Sequence, residues 1–262
     1  MDYKHLKFYL QSNWLKTLCF NFRMFPFKRA IHFPVIFYGK CYVYCGKEAK
    51  VNLPDKVSTG MLLIGNSNSY TMGIPNTRPE HSYFYIDGTL TMKGSRVFIG
   101  NGSHVYIKKN AELTLGERTY LSNRTKVHCA SQISIGQGTR VSWECQLFDT
   151  NMHYCIDEFG GVKNCKGNIV IGNWCWIGNR CTIQKGTVLN DRSIVASNSL
   201  LNKNYSSVEN GTFAGMPAKC IKTGLRRIFT SAFSSDLDSF FLQNPVGETY
   251  IEMEEYKIKE LY

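Results

Sequence analysis

The segment from Ile171 to Ser206 reads IGNWCW, IGNRCT, IQKGTV, LNDRSI, VASNSL, LNKNYS: six consecutive blocks of six residues. Each block opens on an aliphatic residue: Ile171, Ile177, Ile183, Leu189, Val195 and Leu201. The fifth position is small in Cys175, Cys181, Thr187, Ser193 and Ser199, and the pattern frays at Tyr205. Helices repeat at about 3.6 residues and strands at about 2, so neither explains a period of six. A chain wound into a triangular prism of hexapeptide repeats does, because residues about 18 apart then lie above one another. Stacking at about 4.8 Å puts Ile171 under Leu189, Ile177 under Val195 and Ile183 under Leu201. Each buried aliphatic side chain contributes about 1.5–3 kcal/mol. The second position is Gly, Asn or Ala in most blocks and is expected at a turn that needs positive φ or a compact side chain. A β-sandwich of short strands gives no reason for phased blocks of six.

The same spacing recurs upstream. Ile135, Val141 and Leu147 form one run, and Leu115, Leu121, Val127 and Ile133 another. Ile99, Val105 and Ala111 form a third, preceded by Ile86, Met92 and Phe98. The phase slips between runs. An all-β core is therefore expected over residues 57–206, interrupted by loops at 66–83 and 154–168. Residues 207–262 follow as a separate segment with a partly helical tail, in which Ile251, Tyr256, Ile258 and Leu261 make a loose amphipathic stripe.

Residues 1–56 are basic and aromatic. Asp2 is the only acid before Glu48, and the net charge of the chain is +11. Phe8, Tyr9, Trp14, Phe20, Phe22, Phe25, Phe27, Phe33, Phe37 and Tyr38 are interleaved with Lys and Arg. Two readings fit, and both can hold. The segment caps the open end of the prism, whose strand groups need cover, or residues 1–46 lie on an anionic membrane. No recognition motif accompanies the charge, so nucleic acid is not expected as a partner. No run of about 18 apolar residues indicates a spanning helix, and lysines break any signal-peptide core. Ten cysteines without a CxxC pair fit neither a disulfide framework nor a zinc site. The expectation is a cytoplasmic protein, in peripheral contact with the inner face of the membrane if the arm meets lipid.

IGNWCWIGNRCTIQKGTVLN, then VASNSLLNK, then AGMPAKCIK resembles the C-terminal half of hexapeptide-repeat acyltransferases, which include the galactoside and maltose O-acetyltransferases. The likeness covers roughly residues 99–222. It implies a left-handed parallel β-helix, acetyl-CoA as acyl donor, and a homotrimer with active sites between neighbouring prisms. SWECQLFDTNMH, residues 142–153, is similar to a subgroup acting in surface-polysaccharide synthesis, where D-T-x-x-H ends a coil. Asn151 stands where that subgroup more often has an acid. The resemblance implies His153 as the catalytic base and Asp149 as the carboxylate that orients it. Asn123 lies where the galactoside enzymes bind acceptor, and is equally readable as a turn asparagine. For the coenzyme it implies Trp176 lining a groove, Asn179, Ser197 and Asn202 along it, and Lys219 and Lys222 near the phosphates, with Arg226 and Arg227 extending the charge. On residues alone the lysines are ordinary solvated surface, Trp176 a packing residue between subunits and His153 a surface histidine.

Acyl transfer from a thioester needs a base for the acceptor proton, and a histidine with a pKa near about 6.5 serves at neutral pH. The function expected is acetyl transfer from acetyl-CoA to a hydroxyl of a sugar in a glycan, glycolipid or nucleotide-sugar precursor. The alternatives are N-acetylation of an amino sugar and a non-catalytic trimeric scaffold. A metal hydrolyase of the γ-carbonic-anhydrase kind would draw on His128 and His104, but the chain has no H-x4-H pair. No metal is expected.

Overall fold

The computed structural model of the chain describes residues 12–66, 80–229 and 231–251. It is a left-handed parallel β-helix of three sheets, each a face of a triangular prism. Face one stacks Val35–Phe37, Leu62–Asn66, Val97–Gly100, Tyr120–Leu121, Arg140–Val141, Trp176–Ile177, Ile194–Val195 and Gly211–Gly215, and closes with the antiparallel strand Ala218–Thr223. Face two stacks Cys41–Cys45, Ser82–Ile86, His104–Ile107, Lys126–Cys129, Gln146–Phe148, Thr182–Gln184 and Leu200–Leu201. Face three stacks Lys50–Asn52, Thr89–Met92, Glu112–Leu115, Gln132–Ile135, Ile169–Ile171 and Val188–Leu189. Ile171 pairs with Leu189, Ile177 with Val195 and Ile183 with Leu201, as the spacing predicts.

The small fifth residues Cys175, Cys181, Thr187, Ser193 and Ser199 are all buried. Positive φ falls on the fourth position of the block, at Trp174, Arg180, Arg192 and Asn198, not on the second. Glycine serves the second position for a different reason. A Cβ on Gly172 would sit 2.5 Å from the backbone nitrogen of Asp191, in the coil stacked on it. The compact residue is needed for close stacking, and the bend is made two residues later. Upstream, Ile86, Met92, Ile99, Val105 and Ala111 face the core, but Phe98 does not. Its ring lies on Tyr120 on the outer face, 4.5 Å between centroids, while Val97 and Ile99 point inward. That is where the phase of the repeat slips.

The prism also begins earlier than residue 57. Val35–Phe37, Cys41–Cys45 and Lys50–Asn52 are its first coil, paired in parallel with the second. Long steps between these coils hide the period: Cys41 pairs with Ser82 and Lys50 with Thr89. The segment expected as an arm is thus partly prism. The helix Trp14–Met24 ahead of it is a cap. Asn13 opens the helix by accepting from the Lys16 amide at 3.2 Å. Its inner face buries Thr17, Phe20 and Asn21. The Asn21 amide donates to Val35 O at 2.7 Å, and Val35 N donates back to Asn21 Oδ1 at 3.2 Å. Phe37 N donates to Thr17 Oγ1 at 3.1 Å. Two helix side chains therefore satisfy strand groups that have no coil beneath them.

The expected loop at 66–83 falls largely on residues 67–79, outside the described residues. A second contact unit, Arg226–Tyr262, contains the helix Ser231–Gln243. The amphipathic stripe of the tail lies, apart from Ile251, outside the described residues.

Candidate active site

The fifth coil is interrupted after Gln146–Phe148, and the chain leaves the prism at the corner between faces two and three. It returns at Ile169–Ile171. The excursion is a short two-stranded arm. Its base is a bridge between Thr150 and Lys166, with Asn151 N donating to Cys165 O at 2.8 Å and Gly167 N to Asp149 O at 2.9 Å. A second bridge joins Ile156 to Val162. Asp157 closes the tip by accepting from the amides of Phe159 and Gly161 at 3.0 and 2.8 Å.

His153 stands exposed on this arm and lines a cavity of about 340 Å³ with Asn151, Cys155, Asp157, Lys163, Asn164 and Lys185. Lys185 comes from the corner of the next coil and donates to Asn164 O at 2.7 Å, tying the arm to the prism. Asp149 does not reach His153. It is fully buried, and its two oxygens accept from the amides of Ala130 and Ser131, each at 2.7 Å. The carboxylate holds the arm's root to the coil below. No hydrogen bond joins it to the imidazole.

Asn123 is set apart as well. It lies at the corner between faces one and two, is buried, and accepts from Asn101 N at 3.0 Å. Its role there is to fasten one coil to the next. The residues expected along the coenzyme fare differently. Trp176 projects from face one and is half exposed. Registration runs Trp176, Ile194, Thr212, Lys222 across that face, so the indole and the lysine share one row. Three strand steps separate them, about 14 Å. Lys219 and Lys222 are exposed on the closing strand. Asn179 and Ser197 stack on the adjoining corner, with Ser197 Oγ donating to Asn179 Oδ1 at 2.5 Å. Asn202 lies at the other corner, that of His153, two coils further on.

Face two carries a feature that the period of six did not reveal. Tyr44, Tyr85, Tyr106, His128 and Phe148 form an outward column. Successive centroids are 4.3, 4.3, 5.0 and 6.3 Å apart. Beside it run Tyr42, Tyr83 and His104, at 5.1 and 4.6 Å. The column ends at Phe148, one residue before the arm begins. A cavity of about 530 Å³ lies against it, with Lys108 and Lys126 at its rim. The signal was present in the sequence as YVY, YFY, HVY, KVH and QLF at the five strands, an inward residue flanked on both sides by aromatic or basic residues in the first four and followed by an aromatic in the last. Burial first, and Lys108 second, push the His128 pKa below the ordinary value, against a small opposing pull from Asp149. Burial and Lys126 lower that of His104, with Glu80 opposing. The two histidines sit on neighbouring rows of face two, and no three His, Cys, Asp or Glu side chains converge for a metal among the described residues.

No family model matches the chain. It is 29% identical over 204 residues to an uncharacterized 24.8 kDa protein in the cps region of Klebsiella pneumoniae, covering 78% of this chain and 86% of that one. Among solved structures it is similar to the polySia-specific acetyltransferase NeuO, with 18% identity over 81% of this chain and 97% of that one and a TM-score of 0.38. It is also similar to AntD, an N-acyltransferase from Bacillus cereus solved with dTDP and coenzyme A, with 15% identity over 80% and 88% of the two chains and a TM-score of 0.42.

Proposed function

We propose that the chain is an acyltransferase that moves an acetyl group from acetyl-CoA to a hydroxyl of a sugar, with His153 as general base. The observation that carries this reading is the position of His153. It is an exposed imidazole on an arm that breaks the fifth coil, facing a cavity with lysines and amides around it. The acceptor hydroxyl gives its proton to the imidazole as its oxygen attacks the thioester carbonyl. The C–S bond then breaks, and the thiolate leaves as the thiol by taking that proton back. A positioned base contributes about 10²–10⁴ in rate.

The row from Trp176 to Lys222 fits the donor. Its indole offers an apolar wall and Lys222 and Lys219 offer cations, about 14 Å apart along face one. Coenzyme A likewise has an apolar-to-amide arm and an anionic end. His153 and this row stand on different parts of the triangle, one at the corner of faces two and three, the other on face one. A single prism does not unite them. In this reading the site is completed by a threefold arrangement that sets the His153 corner of one copy against face one of the next. The arm is furnished for such a contact: Tyr154, Ile156, Phe159 and Val162 are all exposed.

A hydroxyl and an amine acceptor need the same base, so both belong in the assay. Purified protein is given acetyl-CoA with sugar and amino-sugar acceptors, and thiol release is followed. His153→Ala is expected to lower kcat/KM by about 10²–10⁴ while a thermal shift on adding coenzyme A persists. Undiminished turnover in that variant removes His153 as base. No thermal shift with coenzyme A in the wild type removes the acyltransferase reading.

A further inference from the structure

The capped end of the prism carries an exposed apolar surface set among basic residues. The inner face of the helix Trp14–Met24 is spent on the first coil. Its outer face holds Leu15, Leu18 and Phe22 at helical spacing, all exposed. The short helix Phe27–Ala30 adds Phe27, and Ile31 follows it. Leu15 is 74% and Phe27 70% exposed. These groups are contiguous: the Phe22 ring lies 6.0 Å from Phe27 and 6.2 Å from Phe33, and Trp14 lies 5.7 Å from Phe33. Scattered exposed apolar residues are ordinary, but a joined patch of this kind marks an interaction surface.

Charge selects the partner. The same end carries Lys16, Arg23, Lys28, Arg29 and Lys40, and no Asp or Glu occurs between Tyr3 and Lys47. Arg23 is held in place by donating to Cys45 O at 2.6 Å. Protein interfaces are depleted in lysine. An anionic bilayer rewards lysine and arginine at its surface and takes Leu, Phe and Trp into its headgroup boundary.

We infer that this end docks the prism end-on to an anionic lipid bilayer, with Leu15, Leu18, Phe22 and Phe27 inserted. The inference does not depend on the chemistry at His153, but it sets where that chemistry happens. The arm leaves the fifth coil, four coil spacings above the first, or about 19 Å. The capping helix adds about 10 Å. His153 then works about 30 Å from the lipid, beyond the reach of a group at the bilayer surface.

The test is sedimentation of the full chain with vesicles of phosphatidylcholine alone or with about one-third phosphatidylglycerol. Binding is expected to the anionic vesicles and to weaken as NaCl rises from about 0.1 to about 0.5 M. Leu18→Glu with Phe22→Glu is expected to weaken it at least about ten-fold. Lys28→Glu with Lys40→Glu changes exposed side chains only, is expected to do the same, and answers the question if the first variant does not fold. The inference is overturned if the wild type stays in the supernatant. It is also overturned if it binds neutral vesicles equally well, or if the lysine variant binds like the wild type. Loss of self-association without loss of vesicle binding in the Leu18/Phe22 variant assigns the patch to a second copy of the chain and likewise overturns it.

Discussion

Replacing Asp149 with Ala separates a structural carboxylate from a catalytic one. The side chain is fully buried and accepts two amide hydrogens at 2.7 Å, from Ala130 and Ser131. Hydrogen bonds to a charged group contribute about 1.5–3 kcal/mol each. The Ala130 amide is buried and would be left without a partner, so its loss falls at the upper end of that range. Ser131 is half exposed, so water takes up part of the second loss. The sum is about 3–4 kcal/mol. In a domain of this size each kcal/mol lowers Tm by about 2–4 °C, which gives a fall of about 10 °C. Asp149→Asn keeps one acceptor but turns an NH₂ toward the other amide, so its fall should be nearly as large. Differential scanning fluorimetry measures both. Well below the new Tm, kcat/KM for acetyl transfer should stay within a few-fold of wild type, because no bond links this carboxylate to His153. An unchanged Tm would refute the assignment of Asp149 as a structural tie. So would a loss of kcat/KM as deep as that of His153→Ala without a fall in Tm, which would restore Asp149 as the group that orients the imidazole.

Asn21→Ala strands Val35 N and O at the buried end of the first coil and should lower stability by about 2–4 kcal/mol, read as a drop in the midpoint of urea unfolding with an unchanged slope. His128 and His104 have folded-state pKa values below the ordinary one, so the unfolded chain takes up more protons as pH falls through about 6.5. Stability is then full above that value and declines below it until the folded-state histidines protonate. His128→Phe, which extends the aromatic column, should flatten the fall in Tm between pH about 7.5 and about 5.5, and an undiminished slope would remove His128 as a source of it.

Much of this architecture is written locally. An aliphatic residue every six positions with a small residue four later leaves few alternatives, because the prism interior repeats the same two steric demands at every side. The stacking of Ile171, Ile177 and Ile183 under Leu189, Val195 and Leu201 follows from counting. So does the placement of Trp176 on an outer face. The start of the prism does not, because Cys41 reaches Ser82 and Lys50 reaches Thr89 across inserted lengths that no fixed period records. The break in the fifth coil shows in the sequence as a lapse of the repeat, but the chain leaves the prism after Phe148, before His153 rather than after it, so the arm begins earlier than the 154–168 loop expected from the spacing. The positive φ at the fourth rather than the second position depends on how one coil's backbone crosses the next.

The sequence by itself determined the repeat, the inward side chains and the residue types available for chemistry, since these depend on neighbours within one or two coils. Only the tertiary structure decided which of those residues meet. Asp149 turned from His153 to the amides of Ala130 and Ser131, and Asn123 was taken up by Asn101, because a buried polar group bonds to whatever the adjacent coil presents. The basic segment became a two-sided cap for the same reason. Strand groups at the end of a β-helix have no coil beneath them, and Thr17 and Asn21 happen to face them.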